Sequence, residues 1–102
     1  MDNTDQVPGK WQVEGEMTIF TAASIKEKLA ALLSASSRLE IDLSGVNEID
    51  TAGVQLLLAT KKECQAKGGD LTLVHHSIQV LDVLDLCNLT TIFGDPVVIS
   101  SN

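Results

Sequence analysis

The stretch at 39–58 constrains the fold of this chain more than any other, because its periodicity changes from that of a strand to that of a helix. Apolar and acidic residues alternate over 39–43, which is the two-residue period of a pleated strand. A Ser-Gly pair at 44–45 breaks the alternation and predicts a loop that continues to Asp50. Apolar residues then recur at offsets of three and four, which predicts a helix that begins near Thr51.

This arrangement delivers Asp50 and Thr51 to a helix N-terminus, where unpaired backbone N–H groups and the positive end of the helix dipole meet. A hydroxyl there is suited to cap the helix, which predicts Thr51 as an N-cap worth about 1 kcal/mol. The same hydroxyl is suited to carry a phosphate, because anions are stabilised at helix N-termini. Asp50 is either a loop or capping carboxylate or part of a surface that a protein partner recognises.

Length and charge exclude several classes of function. A chain of 102 residues predicts one domain, with a hydrophobic fraction of 44% that is sufficient for a core. The net charge of −7 disfavours both nucleic acid and an anionic membrane surface as partners, and favours protein partners. No apolar run reaches the roughly 20 residues that a membrane span needs, and the N-terminus is acidic. We therefore expect a cytoplasmic protein without direct membrane insertion.

Motifs for catalysis or cofactor binding are absent from the sequence. Neither the Gly-x-x-x-x-Gly-Lys-Ser/Thr motif nor the Gly-x-Gly-x-x-Gly motif of nucleotide-binding proteins occurs. The nucleophile elbow of hydrolases is absent as well. His75 and His76 together with Cys64 and Cys87 lack the spacing of a metal site. We expect that the protein is not an enzyme and binds no cofactor and no metal. An enzyme or ligand-binding domain that uses the histidines remains as an alternative.

The remaining segments alternate strand and helix patterns. Residues 1–9 are polar and predict a flexible leader, followed by a folded domain at 10–102. Alternation on both sides of Gly15 predicts either a short hairpin or one bent strand. The helix that begins near Thr51 should end at Lys67-Gly68-Gly69. The further predicted elements are a helix from Thr21 that ends near Ser34 to Ser37, a strand at Leu71–Val74, a helix capped by Ser77 and closed by Cys87-Asn88, and a last strand at Val97-Val98-Ile99. The whole predicts a small α/β domain with a mostly parallel sheet of four or five strands and three main helices.

Several of these residues together resemble the STAS domain, which is found in anti-sigma-factor antagonists and in sulphate transporters. The most specific piece is Asp-Leu-Ser-Gly-Val-x-x-Ile-Asp-Thr-Ala-Gly-Val at 42–54. Gly15-Glu16, Lys67-Gly68-Gly69 and the segment around Asn88-Leu89 add to a resemblance that runs from about Val13 to Ile99. It implies a STAS-like fold for the whole folded part of the chain.

In the antagonist branch, the Ser or Thr after the loop aspartate is phosphorylated by an anti-sigma-factor kinase, and Thr51 occupies the matching position. The resemblance implies partner switching: the unmodified domain binds the kinase, phosphorylation ends binding, and a phosphatase restores it. The residues it implies for partner binding are Asp50, Thr51, Ala52, Gly53 and Val54. Ala52 and Gln55 depart from the pattern, since many members have a second hydroxyl residue and another glycine there.

Other STAS proteins imply an alternative of a different class. In it, the chain is a constitutive accessory subunit that docks on the ATPase of a lipid-transporting ABC complex or joins another signalling assembly. Thr51 would then be a contact residue with no need of phosphorylation. The sequence leaves the partner and the oligomeric state open.

Overall fold

The computed structural model describes residues 9–87, which alternate three strands with three helices. The elements are β1 (Gly9–Met17), α1 (Ala22–Ala35), β2 (Arg38–Ile49), α2 (Thr51–Ala66), β3 (Asp70–Val74) and α3 (Ile78–Leu86). The sheet order is β1-β2-β3 and both strand pairs are parallel, as expected for strands joined through helices. The predicted parallel α/β architecture with three helices is confirmed, but the described residues form three strands rather than four or five. The predicted strand at 97–99 lies outside the described residues, as do positions 1–8 and Asn88.

β1 is one bent strand, which decides between the two predicted alternatives against the hairpin. Eight of its nine residues, all except Val13, pair in parallel with residues of β2. Val13 and Met17 are buried on one face, whereas the residues between them are exposed or half-buried. Gly15 has a φ of +89°, a value that glycine adopts at little cost. The chain therefore bends at this glycine without reversing direction.

The predicted loop between residue 44 and Asp50 is wrong, because β2 continues for twelve residues to Ile49. Two register shifts against β1 each place one extra residue on β2. The buried residues Leu43, Val46 and Ile49 consequently lie three positions apart. Because apolar and polar residues do not alternate here, the sequence pattern does not indicate a strand. Gly45 permits close pairing, because a Cβ there would lie 3.0 Å from the carbonyl oxygen of Val13.

The core lies on one face of the sheet, and all three helices contribute to it. Its fully buried members are mostly aliphatic, and α1 adds the buried Ile25 and Leu29. The fully buried residues are Met17, Leu39, Ile41, Leu43, Val46, Leu57, Cys64, Leu71, Leu73, Val80 and Leu84. On the other face, positions such as Gln12, Glu40 and Thr72 remain exposed or half-buried. None of the helices in the described part of the chain has the length and apolar character needed to cross a membrane.

One buried cation connects α2 to β3. Lys61 is only 7% exposed, and its ammonium donates hydrogen bonds to the Asp70 carboxylate at 2.9 Å and to the Leu71 carbonyl oxygen at 3.3 Å. A buried charge needs such partners, since an unpaired one is strongly destabilising. The pair therefore orients the second half of α2 against the start of β3.

Several helix ends follow the predicted signals, but the start of α1 does not. The Ser77 hydroxyl accepts a hydrogen bond from Val80 N–H and caps α3. Gly68, with a φ of +88°, follows the end of α2 as predicted. Thr21 is the N-cap residue of α1, but its hydroxyl makes no capping bond; it instead accepts from Thr18 N–H and donates to the Glu16 carbonyl oxygen. That hydroxyl stabilises the β1–α1 loop rather than the helix.

Candidate functional site

Asp50 caps α2 and at the same time holds the neighbouring loop. Its Oδ1 atom accepts hydrogen bonds from Ala52 N–H at 2.9 Å and Gly53 N–H at 3.2 Å. Its Oδ2 atom accepts from Ile19 N–H at 3.0 Å. The prediction that Thr51 is the N-cap is therefore wrong. Asp50 has the extended backbone of an N-cap, and its short carboxylate reaches both the helix and the loop.

Thr51 is the first residue of α2, and its side chain is exposed. Its hydroxyl makes no hydrogen bond with any residue in the range 9–87. Because Asp50 provides the cap, this hydroxyl has no structural task within that range. It is accessible to a modifying enzyme or to a partner.

The other predicted partner-binding residues differ in how far solvent reaches them. Ala52 is half-buried, as is Asp50, whereas Gly53 and Val54 are buried. A Cβ at Gly53 would collide with the carbonyl oxygen of Met17, so glycine allows α2 to approach β1 closely. The structure thus brings these residues together around Thr51, with Gly53 and Val54 beneath the surface.

Two large apolar side chains lie beside this site, and the sequence analysis did not identify them as surface residues. Ile19 is 69% exposed and Phe20 is 90% exposed. The backbone beneath them is fixed, because the buried Thr18 hydroxyl accepts from Phe20 N–H and donates to the Glu16 carboxylate. Exposed apolar residues on an ordered loop are typical of a contact surface. The sequence feature that could have indicated this exposure is the Ile-Phe pair between two threonines, at the junction of a predicted strand and a predicted helix.

The two chain segments that meet at Asp50 carry only negative charges. The segments 16–21 and 48–55 contain Glu16, Glu48 and Asp50 but no lysine or arginine. The hydrogen bond from Ile19 N–H lowers the pKa of Asp50, and partial desolvation opposes this while the N–H groups at the start of α2 add to it. Asp50 is therefore ionised at neutral pH and strengthens both the cap and the contact with the loop.

We expect Asp50→Asn to reduce the melting temperature at pH 7 by roughly 4–8 °C. Asparagine retains one acceptor oxygen for the helix, but its NH₂ group cannot accept from Ile19 N–H. Because the pKa of Asp50 is lower in the folded state, its contribution is present above the unfolded pKa of about 3.9 and is lost as pH falls through the folded value. Thermal melts between about pH 3 and pH 7 should therefore show a weaker acid dependence in the variant.

The matched control is Asp85→Asn, which removes an exposed carboxylate from α3. Its melting curves should follow those of the wild type at every pH. Equal melting curves for Asp50→Asn and Asp85→Asn would contradict the role of Asp50 as a double acceptor.

The histidines and cysteines do not converge. His75 Nδ1 lies 3.0 Å from Asp42 Oδ2, whereas Cys64 is a buried residue of α2 and Cys87 is exposed at the end of α3. Partial burial raises the pKa of Asp42, but hydrogen bonds from Ser44 and His75 outweigh it and lower the pKa. Within residues 9–87, no three His, Cys, Asp or Glu side chains form a group that suits a metal ion. The site at the start of α2 is the better supported candidate.

Known proteins with this fold include several regulators. A solved structure of the anti-sigma factor antagonist SpoIIAA in its unphosphorylated form superposes with a TM-score of 0.70 at 21% identity, covering 80% of this chain and 73% of that one. A putative anti-sigma factor antagonist from Thermotoga maritima gives 0.70 at 25% identity, covering 81% and 73%. A sulfate transporter family protein from Wolinella succinogenes gives 0.72 at 18% identity, covering 93% and 84%.

Sequence comparison agrees with the fold. The anti-sigma-B factor antagonist of Bacillus subtilis (strain 168) is 29% identical over 80 residues, which are 78% of this chain and 73% of the relative. Residues 2–98, which are nearly the whole sequence, match the family described as "Mlab, STAS domain". The resemblance predicted from residues 42–54 is therefore confirmed, and the chain belongs to the STAS domain family.

Proposed function

We propose that this STAS domain is a phospho-switched protein-interaction module of the anti-sigma-factor-antagonist type. In its unphosphorylated form it binds an anti-sigma-factor kinase through the surface around Thr51, and phosphorylation of Thr51 releases that kinase. The observation that carries the proposal is the exposed Thr51 hydroxyl at the start of α2, left without a capping role by Asp50. The relatives that are named antagonists support the choice of partner.

The proposed switch acts by local electrostatics. A phosphate on Thr51 adds a charge of about −1.5 to −2 and three acceptor oxygens. The N-terminus of α2 tolerates this group in the free domain, because helix N-termini stabilise anions. In a complex, by contrast, the phosphate would be enclosed together with the acidic Asp50 and the apolar Ile19 and Phe20. A partner surface that fits the unmodified site would have to bury a doubly charged group.

In this proposal the domain is a substrate and a binding module in the cytoplasm, not an enzyme. A phosphatase removes the phosphate and restores binding. Partner choice then follows the phosphorylation state of one residue, while the fold stays the same in both states.

Phosphotransfer tests the proposal directly. The purified protein is incubated with ATP and a fixed panel of anti-sigma-factor kinases, namely those of the source genome together with the anti-sigma-B factor of Bacillus subtilis. Mass spectrometry should locate the phosphate on Thr51, and Thr51→Ala should abolish the transfer. The control Ser24→Ala removes another exposed hydroxyl near a helix start and should leave the transfer unchanged. Phosphate on a different residue, or no transfer from any kinase, would refute the switch.

The alternative function is constitutive docking on an ABC-transporter ATPase. It is motivated by the likeness in fold to a sulfate transporter family protein. Here the start of α2 is a permanent contact, and a Thr51→Glu bait should recover the same ATPase from lysate as the wild type. Recovery of a kinase by the wild type alone would instead favour the switch.

A further inference from the structure

β1 is an edge strand whose outer side has no partner among residues 9–87, because the sheet order places β2 on its other side. In a nine-residue edge strand, about half of the backbone N–H and C=O groups point away from the sheet. Such an edge is a template for pairing with another strand. Its side chains determine which strand fits.

The regular part of this edge is residues 9–14, before the positive φ of Gly15 bends the chain. Lys10 and Glu14 are exposed on the face that the helices leave uncovered, where the Lys10 ammonium also lies 3.9 Å from the Glu40 carboxylate of β2 and still keeps most of its side chain in solvent. Trp11 and Val13 lie on the opposite, helix-covered face, where Val13 is buried but Trp11 is only half-buried. The Lys28 ammonium lies 5.6 Å from the centroid of the Trp11 ring, so this large apolar side chain sits at the open margin of the core.

We propose that β1 pairs antiparallel with β1 of a second copy of this chain, around a two-fold axis at Gln12. This register places Lys10 of each copy opposite Glu14 of the other, so two opposite-charge pairs form on the uncovered face. It also places Trp11 opposite Val13 of the second copy, and the two Trp11 rings become diagonal neighbours near the axis. The half-buried tryptophan thereby gains an apolar neighbour on its open side.

Neighbouring registers fit less well. An axis at Glu14 would place two glutamates directly opposite each other, which is destabilising. An axis at Val13 would place Trp11 opposite Gly15, whose backbone leaves the regular strand conformation. Charge and backbone geometry thus select the register centred on Gln12.

Counting only the strands in residues 9–87, the proposed dimer has a sheet of six strands with the two copies antiparallel. The carboxyl ends of the strands, and with them the two Thr51 surfaces, then lie at opposite ends of the assembly. Both surfaces stay accessible, so the pairing is compatible with either function proposed above and depends on neither.

Sedimentation velocity from about 1 µM to about 1 mM measures the pairing, and the fluorescence of Trp11, which is the only tryptophan, reports on it. The wild type should dimerise with rising concentration, and the Trp11 emission should shift to shorter wavelength in parallel. Lys10→Glu and Glu14→Lys should each raise the dimer dissociation constant by about tenfold or more, because each places like charges opposite one another twice. The double variant should return to within about threefold of the wild type.

The matched control is Glu27→Lys, which makes the same charge change as Glu14→Lys on the exposed face of α1. It should dimerise like the wild type. A protein that stays monomeric at the highest concentration overturns the proposal. So does a dimer whose dissociation constant in both single variants equals that of the wild type, or a double variant that dimerises no more tightly than either single variant.

Discussion

Gly53→Ala is expected to destabilise the domain by about 3 kcal/mol and to lower its melting temperature by more than about 10 °C. An added Cβ would collide with the carbonyl oxygen of Met17, and would lie 2.9 Å from the Met17 Cβ and 3.0 Å from Ile49 Cγ1. The first obstacle is backbone, which no change of rotamer can move aside. α2 would therefore have to move away from β1, which would weaken the packing of Val54 and the Asp50 cap.

Gly68→Ala is the matched control for this effect. Gly68 also carries no side chain, but open space surrounds the position of its missing Cβ. Its φ of +88° makes alanine strained, so a cost of about 1 kcal/mol is expected there from backbone conformation alone. Denaturant and thermal unfolding of both variants separate collision from strain. Equal destabilisation of Gly53→Ala and Gly68→Ala would argue against the close approach of α2 to β1.

Thr51→Glu is expected to weaken binding of the proposed kinase partner by several-hundred-fold, which corresponds to about 3–4 kcal/mol. The glutamate places a negative charge where the phosphate would be. The domain itself should stay folded, because a carboxylate in the first turn of a helix interacts favourably with the dipole. Thr51→Ala should change the free energy of unfolding by less than about 0.5 kcal/mol, since Asp50 provides the cap.

Two controls separate charge at position 51 from other changes. Thr51→Gln has nearly the shape of the glutamate variant without its charge. Gln55→Glu adds a charge at an exposed position one turn further along α2. Titration calorimetry should give both controls affinities within about tenfold of the wild type. Equal affinities for Thr51→Glu and Thr51→Gln would exclude charge as the cause of release, and would favour the constitutive alternative.

Local chemistry made much of this protein predictable from its residues. The start of α2 near Thr51, the cap at Ser77 and the left-handed Gly68 depend on side chains within a few positions of each other. The parallel sheet follows from strands separated by helices. Grouping Asp50 with Thr51 at a helix N-terminus likewise needed only the change of period after residue 43.

Tertiary structure decided the features that depend on β1 and β2 together. The strand character of residues 44–49 results from pairing with β1, where two extra residues on β2 shift the alternation. Asp50 rather than Thr51 became the cap because its second oxygen finds Ile19 N–H, which lies 31 positions away in the chain. The burial of Gly53 against Met17 has the same origin.

The sequence by itself determined the order of the elements within residues 9–87 and the pair of residues at the candidate site, because helix caps, turn glycines and apolar periods act over short distances. The tertiary structure decided which of that pair is structural and which is accessible. It also decided that Ile19 and Phe20 face solvent beside them. These properties depend on the register between strands far apart in sequence, and no local pattern encodes that register.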